Sequence, residues 1–557
     1  METYSQKHTP PLVRPIKSPQ NKAIDQLQML KYRVYYPKNL KTIVDSPPSD
    51  DEGKYQRYIK NSAKIFQTQN IISGTSYSLH HKTALQNSFF ASRMKNKSAS
   101  LSSFKLEIWN KIDHPESKTL FKSLASMKNL QDFEVSLDFC DFLATHHLHF
   151  LFDHLLCAKK LTRFTFLASS CQGFELNALC SLLARSPQLQ TLALSFDSSV
   201  DDCDQFINTL TPALSKLTSL TQIHLFPTGS GPIQAETLKK FFMTLSTIKS
   251  LTDISLFVDF CDENPLAECL QYLNASSIRK LRLNTYRNLA NKDLIQISQA
   301  LEKFTSLHLF YLDLSRSPGI SDMGLTQLCS ALGRLKSLTS LSLLFPKFTQ
   351  NIAPALKSFQ NLVYLKLSFK TAEPSYDQVQ ELSSSLKMLK FSLKFIEVSL
   401  PGSFSDSMIE SLAEALKELT LLRHLSLDFR FTHDITARGV EALGSAMQRL
   451  TNLSSLCLSF VNSKEIDKAA IVALSQALQS LPSLYSIELD LAQCDKINSE
   501  GNGLQSLFAV FHEMKNVWKL NLRLPLCSDL IQEVDKLKKR FNLQADEFLD
   551  SLEILTL

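Results

Sequence analysis

Three side chains in THHLHFLFDHLL have the types and the spacing that could hold a metal. His146, His149 and Asp153 fall at i, i+3 and i+7, so a helix would line them up on one stripe, as a zinc ion bound by two imidazoles and a carboxylate needs. The residues between them, Leu148, Leu151, Phe152, Leu155 and Leu156, make an ordinary amphipathic helix whose apolar side faces away from that stripe. The simpler expectation is therefore a solvated helix face with no metal. The eleven cysteines are odd in number and scattered, which fits reduced thiols better than a disulfide framework. Only 13 glycines are present, and neither a glycine-rich phosphate loop nor a dinucleotide fingerprint occurs. Kinase, HExxH and GxSxG signatures are missing as well. These absences predict no catalytic residues, no cofactor, no metal and no small-molecule substrate.

The elements that carry these residues repeat. The pattern LxxLxLxx starts at Leu101, Leu130, Leu161, Leu189, Leu220, Leu251, Ile278, Leu309, Leu338, Leu362, Leu393, Leu422, Leu453, Leu484, Val517 and Leu549, about 30 residues apart on average. LQTLALSF from Leu189, LVYLKLSF from Leu362 and LRHLSLDF from Leu422 are typical copies. Positions four, six and often eight alternate apolar with polar, the period of a strand with one buried face. Between strands the period lengthens to that of a helix, as in SDSMIESLAEALKELTLL, where Ser405 or Asp406 is the expected N-cap. One unit is too small to bury its own apolar face, and stacking on its neighbours completes a core.

These units resemble the ribonuclease-inhibitor-like class of leucine-rich repeats, with LSRSPGISDMGLTQLCSALGRLKSL from Leu314 among the closest copies. The resemblance covers residues 101–557 and implies an α/β solenoid of about 16 repeats, a curved horseshoe with parallel strands on its concave face and helices on its convex face. The chain departs from that class at the ladder asparagine of the ninth position. Two residues later it carries Cys140, Cys171, Cys261, Cys494 and Cys527, with Ser or Thr in several other units, which predicts a shifted ladder of small groups that satisfy loop backbone.

The expected domains are a basic, largely extended N-terminal arm over 1–100 and the array over 101–557. The arm holds 16 Lys and Arg against 6 Asp and Glu, so it is the seat of the chain's positive charge. Ser46 and Ser49 there stand in contexts that resemble phosphoacceptor sites. No stretch is long and apolar enough to span a membrane, and the first residues lack the pattern of a secretory signal, so the expected location is intracellular, cytoplasmic or cytoskeletal and ciliary.

On the concave face, position three is assigned Tyr311, Tyr364, Phe395 and His424, and position five Asp313, Lys366 and Glu397 among others. Converging aromatics are the usual anchors of a protein interface, and the mixed charge at position five argues against nucleic acid in the groove. The resulting expectation is a non-enzymatic protein-interaction scaffold, a subunit of a larger and preferably cytoskeletal or ciliary assembly, contacting protein partners through the concave face and the arm. The alternatives are a regulator of a small GTPase, whose known repeat-built examples end in an acidic tail that DEFLDSLEILTL is not, and a nucleic-acid or membrane binder acting through the arm.

Overall fold

The computed structural model describes residues 76–81, then 102–525 with breaks of which the longest is 110–121, then 536–537 and 552–556. Seventeen strands run through these residues: β1 (Ser76–His81), β2 (Ser103–Trp109), β3 (Asp132–Asp138), β4 (Arg163–Ser169), β5 (Thr191–Val200), β6 (Gln222–Gly229), β7 (Asp253–Val258), β8 (Lys280–Thr285) and β9 (Leu309–Asp313). They continue as β10 (Ser340–Phe345), β11 (Tyr364–Phe369), β12 (Phe395–Ser399), β13 (His424–Asp428), β14 (Ser455–Ser459), β15 (Ser486–Asp490), β16 (Lys519–Leu524) and β17 (Leu552–Thr556). Each pairs in parallel with the next in sequence, so they form one sheet. From Thr145–Leu155 onward a helix lies between successive strands up to β16. The sheet begins with β1, inside the segment that precedes the first recognisable repeat.

Why the units stack is visible in one of them. In β11 the burial alternates, with Leu365, Leu367 and Phe369 sealed and Tyr364, Lys366 and Ser368 partly open. The sealed side faces helix residues such as Leu382 and Leu386, while Leu362 closes the unit from below. Full burial of one such Leu is worth about 2 kcal/mol, and each unit repeats it several times. Phenylalanines extend the contact between units: Phe345 and Phe369 stack at 5.4 Å and Phe429 and Phe460 at 5.7 Å, all at position eight, and Phe104, Phe133 and Phe164 stack at position four.

Backbone groups outside the strands are satisfied from repeat to repeat. At position two the Lys394 amide donates to the Val363 carbonyl at 2.9 Å and the Arg423 amide to the Lys394 carbonyl at 2.8 Å. At position ten, four consecutive repeats turn through positive φ, at Gly402 (119°), Phe431 (62°), Asn462 (55°) and Gln493 (62°). That turn aims the Phe431 amide at the Val461 carbonyl, 2.7 Å away.

The shifted ladder is present in several of the repeats where position eleven is described, and is interrupted at buried Phe348 and exposed Ser403. The Cys494 thiol donates to the Phe460 carbonyl of the preceding repeat at 2.9 Å, the Ser463 hydroxyl to the Phe429 carbonyl at 3.3 Å, and the Cys171 thiol to the Leu137 carbonyl at 3.5 Å. Burial pushes the Cys494 thiol up to about 12, so it stays protonated at neutral pH and able to donate this hydrogen bond. Cys140, Cys261, Cys527, Ser46 and Ser49 lie outside the described residues.

A second device links the helices. Ser405 is the N-cap residue of the helix Asp406–Leu416, but its hydroxyl meets Ser407 and not the helix amides. Asp406 caps the following helix instead: its carboxylate accepts from the Thr436 amide at 2.8 Å, the Thr436 hydroxyl at 2.7 Å and the Gly439 amide at 3.0 Å. Asn291 serves the Ser321 amide in the same way, at 2.9 Å.

Candidate functional site

Strand pairing corrects the register of one repeat. Phe310 stands opposite Leu341 and Tyr311 opposite Ser342, so the unit begins at Leu307, with Phe310 and Leu312 at positions four and six. The segment LHLFYLDL satisfies the repeat pattern from Leu307 and again from Leu309, because leucines alternate through it, and only the backbone pairing separates the two. Tyr311 therefore sits at position five and Asp313 at position seven, not three and five. Tyr311 is only 6% exposed and stacks on Phe257 at 6.1 Å, while Phe257 meets Phe226 at 4.4 Å. Asp313 accepts from Asn284 at 3.1 Å and from the Ser315 amide at 2.9 Å. The same shift places Ser317 at position eleven, where its hydroxyl accepts the Leu289 amide at 2.8 Å and joins the ladder.

The remaining five candidates come together on the open face of β11 to β13, the face opposite the helices. Tyr364, Phe395 and His424 are in register at position three, and Lys366 and Glu397 at position five. The Tyr364 hydroxyl donates to Glu397 Oε1 at 2.8 Å, and Lys366 Nζ lies 2.8 Å from Glu397 Oε2. Burial alone would raise the Glu397 carboxyl, but Lys366 and the Tyr364 hydrogen bond outweigh it and hold it below the usual range. Burial lowers His424, against the pull of Glu397, and Nδ1 of its neutral ring lies 3.0 Å from the Ser455 hydroxyl. Phe395 projects from this fixed polar patch, 37% exposed.

A second patch on the same face escaped the sequence reading. Asp253, 5% exposed in its side chain, holds Lys280 at 2.9 Å and Arg282 at 3.3 Å, and the same Arg282 reaches Ser255 at 3.2 Å. His224 beside them is pushed down to about 4, chiefly by burial and further by Arg282 and Lys280, against Asp253. Its aromatic border, Phe226 and Phe257, occupies position seven, a column legible from the repeat once the register is aligned.

A concavity between Glu488, Asp490, Asn521 and Arg523 measures about 30 Å³, the room of one water molecule. Among the described residues no three potential metal ligands meet, and Asp153 is exposed on the helix Thr145–Leu155 that also carries His146 and His149. No described helix is long and apolar enough to cross a membrane.

One parallel strand and one helix per repeat, stacked on a continuous leucine core, make this chain an α/β leucine-rich-repeat solenoid. No family model matches it, and no curated protein does. Among solved structures it is similar to a chain in the crystal structure of the yeast Rad7 and Elc1 complex, at 15% identity over 76% of this chain and 96% of that one, with a TM-score of 0.39. It is also similar to a leucine-rich-repeat protein of Leptospira interrogans, at 14% identity over 83% and 98%, with a TM-score of 0.30.

Proposed function

We propose that the chain is a non-enzymatic protein-interaction scaffold whose open sheet face engages a protein partner at Tyr364, Lys366, Phe395, Glu397 and His424. The observation that carries this reading is the patch itself. Its charges are paired and its tyrosine is fastened before any partner arrives, so little side-chain freedom is left to lose on binding. Phe395 stands in the middle as an apolar anchor with a polar surround, the arrangement that concentrates binding energy in a few residues. Tyr311 and Asp313 belong to a neighbouring patch, where Tyr311 packs along the face and does not project from it.

The context we favour is a subunit of a larger intracellular assembly, cytoskeletal or ciliary, with the basic residues 1–100 as a second contact. Affinity purification from the native cell tests the face. A partner retained by the wild-type chain should be weakened by about 1 to 2 kcal/mol for each of Tyr364→Ala and Phe395→Ala, and unaffected by an alanine on the helical side such as Met323→Ala. Equal retention of every partner by all three variants refutes the assignment. Stimulated nucleotide hydrolysis by a small GTPase would favour the regulator instead.

A further inference from the structure

The two rims of the sheet differ in charge. In the 13 repeats from β3 to β16, the turns that run from the end of a helix through the first strand residue hold 17 Lys and Arg against 3 Asp and Glu. The described residues of the segments that return from strand to helix hold 6 against 6. Cations near helix C-termini complement the helix dipole, and that accounts for those in or just past the last helical turn, such as Lys417. The dipole's influence ends within that turn. It does not reach Arg279, Lys280, Lys394, Arg423 and Lys519, which stand at the second and third positions of the repeat, beside the strand. Lys394 and Arg423 are adjacent along the backbone ladder of position two, and among the described residues no carboxylate lies within ion-pair distance of either.

Large exposed apolar side chains gather on the same rim. Met388, Phe391, Phe395, Leu421, Tyr485 and Trp518 account for six of the eleven such residues among the described part of the chain; five lie in helix-to-strand turns between the helix Tyr376–Lys387 and β16, and Phe395 opens β12 at the same edge. Phe391 is 82% exposed at the tip of its turn, with Lys390 Nζ 5.2 Å from its ring centre. Trp518 packs its ring against Tyr485 at 5.7 Å and is still 49% exposed. A solvated rim has no use for these side chains, and the fold does not bury them.

The geometry points to this basic rim, from β12 to β16, as a docking edge for an anionic lipid bilayer: Lys394, Arg423 and Lys519 meet the headgroups while Phe391, Leu421 and Trp518 enter the interface. Charge complementarity decides the partner's sign, and side-chain type decides its class. Single-stranded nucleic acid would use the aromatic rings as stacking platforms, but it offers nothing to Met388 and Leu421, which present no ring face. A bilayer accepts aliphatic and aromatic tips alike just below its headgroups and attracts cations held within a Debye length. Phe395 and Lys519 stand at position three of the repeat, where this edge meets the open face assigned to protein binding.

Sedimentation of the full chain with phosphatidylcholine vesicles, with and without phosphatidylserine, tests the proposal. The wild-type chain should pellet only with the anionic vesicles and should release as salt rises. The pair Lys394→Glu with Arg423→Glu, and separately the pair Phe391→Ser with Trp518→Ser, should each lower the partition coefficient at least about tenfold while the circular dichroism spectrum and melting temperature stay unchanged. All variants keep residues 1–100, so a contribution from that segment is common to them. In a Trp109→Phe background Trp518 is the one remaining indole, and brominated lipid in the anionic vesicles should quench it. Equal pelleting with neutral vesicles, binding untouched by the rim substitutions, an unquenched Trp518, or binding to oligothymidylate in the absence of vesicle binding each overturns the proposal.

Discussion

Replacing Gly439 by alanine should destabilise this protein, although alanine is the better helix former. A Cβ at this position would sit 2.5 Å from Asp406 Oδ1, the oxygen that accepts the Gly439 and Thr436 amides. The carboxylate would have to withdraw and leave the start of the helix Ala437–Met447 without its inter-repeat cap. Losing such a cap costs about 1 to 2 kcal/mol, and its hydrogen bonds to a charged acceptor lie at the upper end of that range. Against this, Gly→Ala in a helix gains about 1 kcal/mol. The net effect of Gly439→Ala is then a loss of about 1 kcal/mol. In an Asp406→Ala background the obstruction is gone, since the next contacts, Ile435 Cγ2 at 3.4 Å and Asp406 Cα at 3.5 Å, are ordinary packing distances. There the same substitution should stabilise by about 0.5 to 1 kcal/mol. Urea midpoints for the wild type, both single variants and the double variant measure the coupling, expected at about 2 kcal/mol. Additive effects, or a stabilising Gly439→Ala in the wild-type background, would refute the inter-repeat cap.

Phe431→Gly should leave the melting temperature unchanged or raise it, because a half-exposed ring is exchanged for relief of a positive φ worth about 1 kcal/mol; a clear drop would show that the ring packs. Stability should fall as pH drops from about 6.5 towards 4, where the unfolded chain takes up a proton that buried His224 refuses, by at most about 3 kcal/mol from this group. Above pH 6.5 that contribution is complete, and His224→Gln should flatten this part of a plot of urea midpoint against pH. Leu365→Ala should cost about 2 to 5 kcal/mol by calorimetry, and Phe395→Ala under 1, since the first empties a sealed site and the second trims an open one.

The repeat, its strand and helix periods and the identity of the buried positions were determined by the sequence alone, because alternation and 3.6-residue spacing are local properties of the chain. The position-eleven ladder was legible for the same reason: a small hydrogen-bonding side chain recurs at one distance from many of the strands. Tertiary structure decided what depends on neighbours in space. LHLFYLDL fits two registers locally, and only pairing of β9 with β10 put Tyr311 among buried aromatics and left Tyr364, Phe395 and His424 as the column at position three. Asp406 reads as a cap for its own helix, yet its carboxylate reaches the next one, 30 residues on in the chain. The charge of the rim, likewise, is spread over turns about 30 residues apart, and stacking the repeats lines up single lysines and arginines along one edge, with gaps at the turns before β11 and β15.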